Sequence, residues 1–402
     1  MSGPAIARAI AEMMERSSWI RRMFEEGTRL KAAIGAENVF DFTLGNPAGE
    51  PPDKARRLLA QLAADPSPGT HRYMPNAGLP QVREHVARHL AAETGLPFNA
   101  GHVVMTCGAG GALNVIIKSL CDPGDEVIIL APYFAEYLFY IANHQAAPVI
   151  VDTDERFLPV VERVAAAITP RTRLLLINSP NNPTGAVYPE STLRALGEIL
   201  DAASARHGRP VYMVMDEPYR KLVYGGVTAP SVFPLYRRAI IATSHSKDLN
   251  LPGERIGYLA VHPHTEDAGM VFDAMTLSNR ILGFVNAPAL FQRLVAQLQD
   301  EPADMTLYAR NRATLVEGLA RAGYEVVSPG GGFYLFPRSP LADDVAFVNK
   351  LKARNILVVP GSGFGRPGYF RIAFCCDHEV CVRALPGFAE AWRQAIAPRA
   401  RF

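Results

Sequence analysis

The sequence predicts an α/β fold, with a large domain built on a mainly parallel seven-stranded sheet flanked by helices, plus a smaller α+β domain. Three observations support this class. Seven short, almost continuously apolar runs occur between residues 103 and 261, as expected for strands buried on both faces of a sheet. Helical stretches separate these runs, which favours parallel strands joined by helical crossovers. After about residue 290 a long helical region leads to further apolar runs with helices between and after them, which indicates the second domain.

The elements can be placed in order along the chain. Residues 1–40 are predicted to form a helical arm, residues 41–47 a short strand closed by a turn, and residues 80–95 an amphipathic helix. The predicted strands of the large sheet are Val103–Thr106, Glu126–Leu130, Ala147–Val151, Arg173–Asn178, Val211–Asp216, Ala239–Ser244 and Gly257–Val261. A helical region is predicted over 286–322, and the later apolar runs are Tyr324–Val327, Gly332–Phe336, Ile356–Pro360 and Phe370–Phe374.

This pattern divides the chain into a large domain, 48–286, and a small domain formed by 1–47 together with 287–402. The chain has 402 residues and a net charge of +2. That balance favours neither nucleic acid nor a membrane surface as partner, and no apolar run approaches the roughly 20 residues that span a bilayer. Charges break up any signal-peptide core near the start, and the five cysteines lack metal-ligand spacing. We therefore expect a reduced, cytoplasmic protein without a metal site.

The string SHSKDLNLPGER, residues 244–255, carries the most specific signal in the chain. Lys247 follows a predicted strand and comes just after Ser244 and Ser246, and Arg255 comes eight residues later. Ligands collect at the carboxyl ends of strands in open α/β sheets. A lysine there can form a Schiff base while the hydroxyls and the guanidinium hold a phosphate, which indicates pyridoxal phosphate as cofactor. A solvated surface lysine is the alternative for Lys247 taken alone.

Two further loops at strand ends offer partners for the ring of this cofactor. Asp216 ends a predicted strand, where a carboxylate can pair with the protonated ring nitrogen, although it can instead cap the next helix. Tyr219, three residues on, can hydrogen-bond the ring's phenolic oxygen. In the loop Asn178–Gly185, Asn182 is predicted to donate to the same oxygen, with a plain structural turn as the alternative.

Glycines follow the first strand of the large sheet. Gly108, Ala109 and Gly110 open a predicted helix, whose free N–H groups would bind an anion. A dinucleotide site is the rival interpretation, but Leu113 stands where G-x-G-x-x-G requires its third glycine. No acidic residue ends a second strand about 20 residues later, as that motif also requires. The sequence therefore favours a single phosphate.

Two more residues are candidates for the same site. Phe134 can stack on a planar ring or belong to the core. Arg371 lies in an apolar run of the smaller domain, where an arginine rarely lacks a partner. That partner is either a substrate carboxylate bound through two hydrogen bonds or a structural Asp or Glu.

Together these strings resemble the fold-type I pyridoxal-phosphate-dependent aminotransferases of the class I/II family, which includes aspartate aminotransferase. Four motifs occur in the family's order over nearly the whole chain, from Gly45 to Arg371. The resemblance implies a transaminase that moves an amino group between an L-amino acid and a 2-oxo acid. It also implies that Lys247 holds the cofactor as an aldimine and, once freed, moves the proton between the substrate Cα and the cofactor.

The resemblance implies roles for the ring and substrate partners as well. Asp216 pairs with the ring nitrogen, Tyr219 and Asn182 bind the phenolic oxygen, and Phe134 stacks on the ring. Arg371 binds the substrate α-carboxylate, and the residues near that carboxylate are Gly45 and Asn182.

The resemblance further implies how the phosphate is bound and how subunits associate. The residues that hold the phosphate are Gly108, Ala109, Gly110, Ser244, Ser246 and Arg255. Tyr73 matches a tyrosine that in this family reaches the phosphate of the other subunit. A homodimer with shared active sites is therefore expected.

The amino donor is not determined by these residues. The phosphate loop lacks the side-chain donor that many relatives have, and Arg280 lies near, but not clearly at, the position of a second arginine for a side-chain carboxylate. Alanine, methionine and aromatic amino acids therefore stay possible donors. A β-eliminating lyase or synthase on the same scaffold is the alternative reaction. A nicotinamide-dependent dehydrogenase and a regulator with an added DNA-binding domain are disfavoured, the latter because no room for that domain precedes Gly45.

Overall fold

The computed structural model describes residues 5–15 and 19–397, and its centre is a seven-stranded sheet. After a first short strand, β1 (Phe40–Asp41), the strands of this sheet are β2 (Val103–Thr106), β3 (Glu126–Ala131), β4 (Ala147–Asp152), β5 (Thr172–Asn178), β6 (Tyr212–Asp216), β7 (Ala239–Ser244) and β8 (Gly257–Val261). Their order is β2-β8-β7-β6-β5-β3-β4, and β8 runs antiparallel to both of its neighbours while the other pairs are parallel. The predicted mainly parallel seven-stranded sheet is confirmed.

Helices cover the two faces of this sheet. The helices of the described chain are α1 (Arg8–Glu15), α2 (Trp19–Ile34), α3 (Asp53–Ala64), α4 (Pro80–Thr94), α5 (Gly108–Leu120), α6 (Glu136–Asn143), α7 (Val161–Ala167), α8 (Glu190–His207), α9 (Ala268–Ile281), α10 (Ala289–Ala296), α11 (Thr306–Ala322), α12 (Asp344–Lys352) and α13 (His378–Ile396). Successive strand residues pack into different cores: Leu174 and Leu176 join a cluster with α5 and α9, whereas Leu175 and Ile177 join one with α4 and α8. This alternation explains why the strands read as continuous apolar runs.

A second, smaller set of strands lies towards the end of the chain. It comprises β9 (Tyr334–Leu335), β10 (Ile356–Leu357), β11 (Val359–Pro360) and β12 (Phe370–Ala373). β12 lies between β11 and β9 in an antiparallel sheet, and β10 pairs in parallel with β1. The apolar run Tyr324–Val327 does not form a strand; Tyr324 is buried through its ring contacts instead.

The ends of the predicted arm and helical region are also revised. The arm contains two helices, α1 and α2, and the predicted region 286–322 contains α10 and α11 with a break between them. Residues 1–4 and 16–18 of the arm lie outside the described residues. Across the part of the chain that the structure describes, no helix is long and apolar enough to cross a membrane.

The packing bears on where one domain ends and the next begins. Leu294 and Leu298 pack into a core of the large sheet, whereas Phe42 packs with residues of β12 and α13. We propose two domains as the sequence suggested, 48–286 and 1–47 with 287–402. By this division α10 belongs to the small domain, but it packs against the core of the large one.

Candidate active site

The predicted site residues meet at the carboxyl edge of the large sheet. Parallel strands β5, β6 and β7 end side by side there, so that Asn178 pairs with Asp216 and Asp216 with Ala242. A cavity of about 280 Å³ opens above this edge. Predicted residues that line it are Gly45, Ala109, Gly110, Phe134, Asn182, Asp216, Tyr219, Ser244, Ser246, Lys247, Arg255 and Arg371. Segments as distant in sequence as Gly45 and Arg371 are therefore brought to one place by the fold.

Lys247 lies on the loop after β7, with Ser244 and Ser246 lining the same wall. Its Nζ donates a hydrogen bond to the backbone oxygen of Gly45 at 2.6 Å. Burial lowers the pKa of Lys247 to about 8; Cys375 opposes this shift, and the positive charge of Arg371 adds to it. A substantial neutral fraction near pH 8 makes this amine able to accept a proton or attack a carbonyl carbon.

Asp216 is the last residue of β6 and is buried. Its Oδ2 accepts a hydrogen bond from the Tyr137 hydroxyl at 2.5 Å, whereas its Oδ1 has no partner among the described residues. Burial raises the pKa of Asp216 to about 7, and the bond from Tyr137 opposes that shift. A buried carboxylate oxygen without a donor is costly, so a ligand that donates a charged N–H here would be favoured. Asp216 faces the cavity instead of capping a helix.

Two tyrosines form the wall beside Lys247. The hydroxyls of Tyr219 and Tyr334 are hydrogen-bonded at 2.8 Å, and both rings are buried. Gly45 passes so close that a Cβ on it would overlap the Tyr334 hydroxyl. This close approach explains why a glycine is needed where the backbone oxygen meets Lys247.

The loop after β5 is held by its own side chains. Asn178 accepts a bond from the backbone N–H of Asn182 at 2.6 Å and donates to the backbone oxygen of Asp216 at 2.7 Å. Asn182 Oδ1 accepts from Arg371 at 3.0 Å, which leaves its Nδ2 without a hydrogen bond to any described residue. Asn182 is therefore oriented with a donor available at the cavity, and the loop is more than a plain turn.

Arg371 lies in β12 and is buried between the rings of Tyr334 and Phe364, whose centroids are 4.8 and 4.9 Å from its Cζ. Its Nη groups donate to Asn182 Oδ1 and to the backbone oxygen of Thr43, and its Nε has no partner among the described residues. Burial lowers the pKa of Arg371. No Asp or Glu of the described chain forms an ion pair with it, so a structural carboxylate partner is not found.

The start of α5 forms an electropositive corner of the cavity. Gly108 has φ of +71°, and Arg255 has φ of +51°, a conformation that residues other than glycine rarely adopt. A Cβ on Gly108 would lie 2.9 Å from Arg255 Nη2, so the guanidinium packs against this turn. Free N–H groups of the first helical turn and a guanidinium together favour an anion.

Two predicted residues do not line the cavity. Gly108 lies just behind it, in contact with Arg255 as described, so its placement still fits the anion corner. Tyr73 is 92% exposed and lines a separate shallow pocket with Phe284 and Asn286. Arg280, in the last turn of α9, is exposed and does not line the cavity either.

Several residues of the site escaped sequence reasoning. Those that line the cavity are Leu44, Leu113, Tyr140, Asn178, Pro218, Pro252 and Tyr334, and Tyr137 contacts Asp216 from behind. Tyr137 and Tyr140 lie three positions apart in α6, a spacing that places them on a common face, and Phe134 lies two residues before the helix begins. Tyr334 follows three glycines, which could have marked a close approach of the backbone.

Comparison with known proteins covers nearly the whole chain. A family model described as "Aminotransferase class I and II" matches residues 37–387. A curated protein of Thermus aquaticus named "Probable aspartate/prephenate aminotransferase" is 36% identical over 87% of this chain and 90% of its own length. The "Aspartate/prephenate aminotransferase" of Thermus thermophilus is 34% identical over 88% of this chain and 91% of its own length.

Solved structures match as well. A crystal structure of an aminotransferase from Eubacterium rectale has a TM-score of 0.94 and 36% identity, covering 98% of this chain and all of that one. Aspartate aminotransferase from Thermus thermophilus, solved with maleate, has a TM-score of 0.86 and 29% identity, covering 97% of this chain and all of that one. The fold over nearly the whole chain is therefore that of these structures.

Proposed function

The chain belongs to the class I and II aminotransferase family, and from this premise we propose which residues carry the reaction and which substrates they accept. The protein is a pyridoxal-phosphate-dependent transaminase that moves an amino group between an amino acid and a 2-oxo acid. Its matched relatives are aminotransferases, and they give no support to the lyase or synthase alternative.

The residues present fit pyridoxal phosphate. Asp216 Oδ1 is a buried acceptor without a donor, as a protonated ring nitrogen would require, and the start of α5 with Arg255 offers the phosphate an electropositive corner. When bound, the cofactor supplies an electron sink that makes the substrate Cα proton acidic. We assign the ring nitrogen to Asp216, the ring face to Phe134 and the phenolic oxygen to Tyr219 and Asn182. We assign the phosphate to Gly108, Ala109, Gly110, Ser244, Ser246 and Arg255.

Lys247 is the proposed covalent anchor and proton carrier. Its pKa of about 8 gives it a neutral fraction at which Nζ can take a proton from substrate Cα and return it to another carbon. The Gly45 backbone oxygen, 2.6 Å away, orients Nζ within the cavity. Burial of the surrounding wall excludes water, which keeps the proton on the lysine between the two positions.

The assignment of the substrate class rests on the buried guanidinium of Arg371. Of the five N–H donors of its guanidinium, Nε–H has no partner among the described residues, although the side chain is buried in the cavity wall. A carboxylate from the substrate satisfies both the charge and the free donor. We propose that Arg371, oriented by Asn182 and the Thr43 backbone oxygen, binds the α-carboxylate shared by amino acids and 2-oxo acids.

The side chain of the donor is proposed to be uncharged. The cationic residues on the described cavity wall are Lys247, Arg255 and Arg371, and each already has a proposed partner. Leu44, Leu113 and the tyrosine rings make up much of the rest. Alanine, methionine or an aromatic amino acid therefore fits this wall better than a dicarboxylic acid does. Aspartate is the second candidate, because the names of the matched relatives specify it.

A half-reaction screen tests this assignment. The holoenzyme is mixed separately with each of the twenty amino acids, and the loss of the cofactor's visible absorption band is followed in single turnover. We expect the highest apparent second-order rate constants for amino acids with uncharged side chains. A preference for aspartate or glutamate by tenfold or more would contradict the proposed donor class while leaving the transaminase intact.

We also propose a homodimer in which Tyr73 completes the partner's phosphate site. Tyr73 is 92% exposed, and α9 presents exposed Met270, Leu277 and Ile281. Exposed apolar groups at this spacing on one helix are typical of a surface that another protein covers. Sedimentation should give twice the mass of the chain, and Tyr73→Phe should weaken retention of the cofactor. A monomer with full activity would contradict this arrangement.

We propose a cytoplasmic location because the cysteines form no disulfide bonds. All five are free thiols, and Cys375 and Cys381 are buried. Free thiols persist in reducing compartments. Fractionation of the source cells, followed by activity assay, checks the location.

A further inference from the structure

A second cavity, of about 300 Å³, lies behind the wall that carries the proposed catalytic residues. The two cavities use alternate residues of the same two segments. Asp216 and Lys247 line the first, whereas Glu217, His245 and Asp248 line the second. Pro218 contacts both. None of the roles proposed above uses the second cavity.

Two buried carboxylates in this cavity have oxygens that accept no hydrogen bond from a described residue. Glu217 is 5% exposed, and its carboxylate accepts no hydrogen bond from a described residue; the Nε of Arg220 is 3.8 Å away. Asp248 is 9% exposed, and its Oδ1 has no partner in the described chain. Its Oδ2 is hydrogen-bonded to His245 Nδ1 at 3.2 Å and lies 3.7 Å from Lys221 Nζ. Buried acceptors of this kind are rarely left without a donor.

The charges that line the cavity favour a cation. Its acidic residues are Glu93, Glu217 and Asp248, and its basic residues, apart from two histidines, are Arg220 and Lys221. Glu93 is already engaged with Arg220 through two hydrogen bonds, and Lys221 donates to backbone oxygens of Gln299 and Glu301. Arg220 Nε is a buried donor without a hydrogen-bond partner among the described residues, 3.8 Å from Glu217 Oε2. The carboxylate oxygens without a donor, both of Glu217 and Oδ1 of Asp248, outnumber it.

The remaining wall suits a short hydrocarbon chain. Val223, Val227 and Ala229 line it, and Tyr258 also lines the cavity. Val227 is 39% exposed, which places it where the cavity meets solvent. An occupant can therefore place a polar head at the carboxylates and an apolar stem along this wall.

We propose that this second cavity binds a small organic cation, an alkylammonium or alkylguanidinium, whose N–H groups donate to Glu217 and Asp248. Cavity volume, unpaired buried acceptors and excess acidic charge all point to this class of ligand. The bound cation contacts residues adjacent in sequence to Asp216 and Lys247. Its binding is therefore positioned to change the affinity of the first cavity, and the effect must be reciprocal.

The probe for the test is n-propylguanidinium, because a protonated guanidinium does not condense with the cofactor's aldehyde as a primary amine would. The holoenzyme is titrated by calorimetry with this probe and, as the matched anion, with butyrate. We expect saturable binding of one n-propylguanidinium per chain and none of butyrate at this site. Absence of saturable binding would mean that the cavity holds water alone and would overturn the proposal.

Variants locate the binding. Glu217→Gln and Asp248→Asn should each weaken it by about tenfold or more, since each removes a charged hydrogen-bond acceptor. Glu317→Gln, an exposed glutamate of α11 paired with Arg321, is the matched control and should not change it. Val227→Trp, which fills the mouth without altering a charge, covers the case in which a buried variant fails to fold, and should also abolish binding. Equal affinity in all variants would contradict the site.

Discussion

The two cavities on either side of one wall have nearly the same volume, about 280 and 300 Å³, and opposite charge. The first has three cations, Lys247, Arg255 and Arg371, against one carboxylate, Asp216. The second has more carboxylates than cations. Neighbouring residues supply both, as Asp216 and Glu217 do. The comparison teaches that one pair of strand ends can build an anion site on one face and a cation site on the other.

Lysine substitution tests this contrast with the largest expected effect. Lys247→Ala should lower the rate of amino transfer by at least about a thousandfold, because general acid–base catalysis by a positioned group contributes about 10² to 10⁴ and the covalent anchor is lost as well. Lys221→Ala, in the second cavity, should change it by less than about threefold. Single-turnover absorbance with a good donor measures both. Similar losses in the two variants would remove the functional distinction between the cavities.

Arginine substitution sharpens the account of the anion side. Arg371→Ala should lower kcat/KM for the amino donor by roughly a hundredfold, since a charged hydrogen bond to the carboxylate is lost. Arg371→Lys keeps the charge without the planar fork and should recover part of the loss. Steady-state kinetics with donor and acceptor varied separately check this. Loss for one substrate alone would contradict a site for their common carboxylate.

A smaller effect is expected in the pH dependence of stability, and Asp216 and Glu217 should both show it. Burial raises the pKa of Asp216 from 3.8 and that of Glu217 from 4.5, in each case to about 7. A raised pKa means that the folded protein holds a proton which the unfolded chain releases earlier. The contribution of these two groups to stability is therefore highest below about pH 4, falls as the pH rises to about 7, and stays lower above it, by roughly 3 to 4 kcal/mol for each group.

Denaturation of the cofactor-free protein checks that behaviour. Asp216→Asn and Glu217→Gln should each raise the free energy of unfolding at pH 8 by up to this amount and change it little at pH 4. With pyridoxal phosphate bound, Asp216→Asn should instead be less stable than the wild type, because the Asp216 carboxylate then gains a partner from the cofactor. Glu217→Gln should stay more stable than the wild type, because Glu217 gains no such partner. The same pH dependence in wild type and both variants would show that neither carboxyl carries the raised pKa.

Much of the fold could be predicted because its strands are buried on both faces. The runs that became β7 and β8 match the predicted bounds, Ala239–Ser244 and Gly257–Val261, since an apolar run bounded by polar residues defines such a strand. Tyr324–Val327 is also an apolar run and so resembles a buried strand, but it does not form one. Its tyrosine is buried by contacts with Trp392 and by a hydrogen bond to the Phe388 backbone oxygen, which leave no signal of pairing in a sequence.

The site was predictable where a motif places the residue and unpredictable where only the fold does. Lys247 and Asp216 follow strands, so their position at the sheet edge can be deduced. Tyr334 and Tyr137 come from elements whose direction depends on packing, and no local pattern indicates that one contacts Tyr219 and the other Asp216. The second cavity was not predicted at all. Some of its lining residues are the neighbours of motif residues that line the first cavity, and the others come from segments such as those of His89 and Gln299, which only the fold brings together.

The most direct test compares Asp216→Asn with Glu217→Gln in one assay. Both changes replace a buried carboxyl by its amide, and the two residues are adjacent in the chain. We expect kcat/KM for amino transfer to fall by about a hundredfold or more in Asp216→Asn, because the charge opposite the ring nitrogen is lost. We expect a change of less than about threefold in Glu217→Gln. Equal losses, or a larger loss in Glu217→Gln, would contradict the assignment of the reaction to the cavity of Lys247.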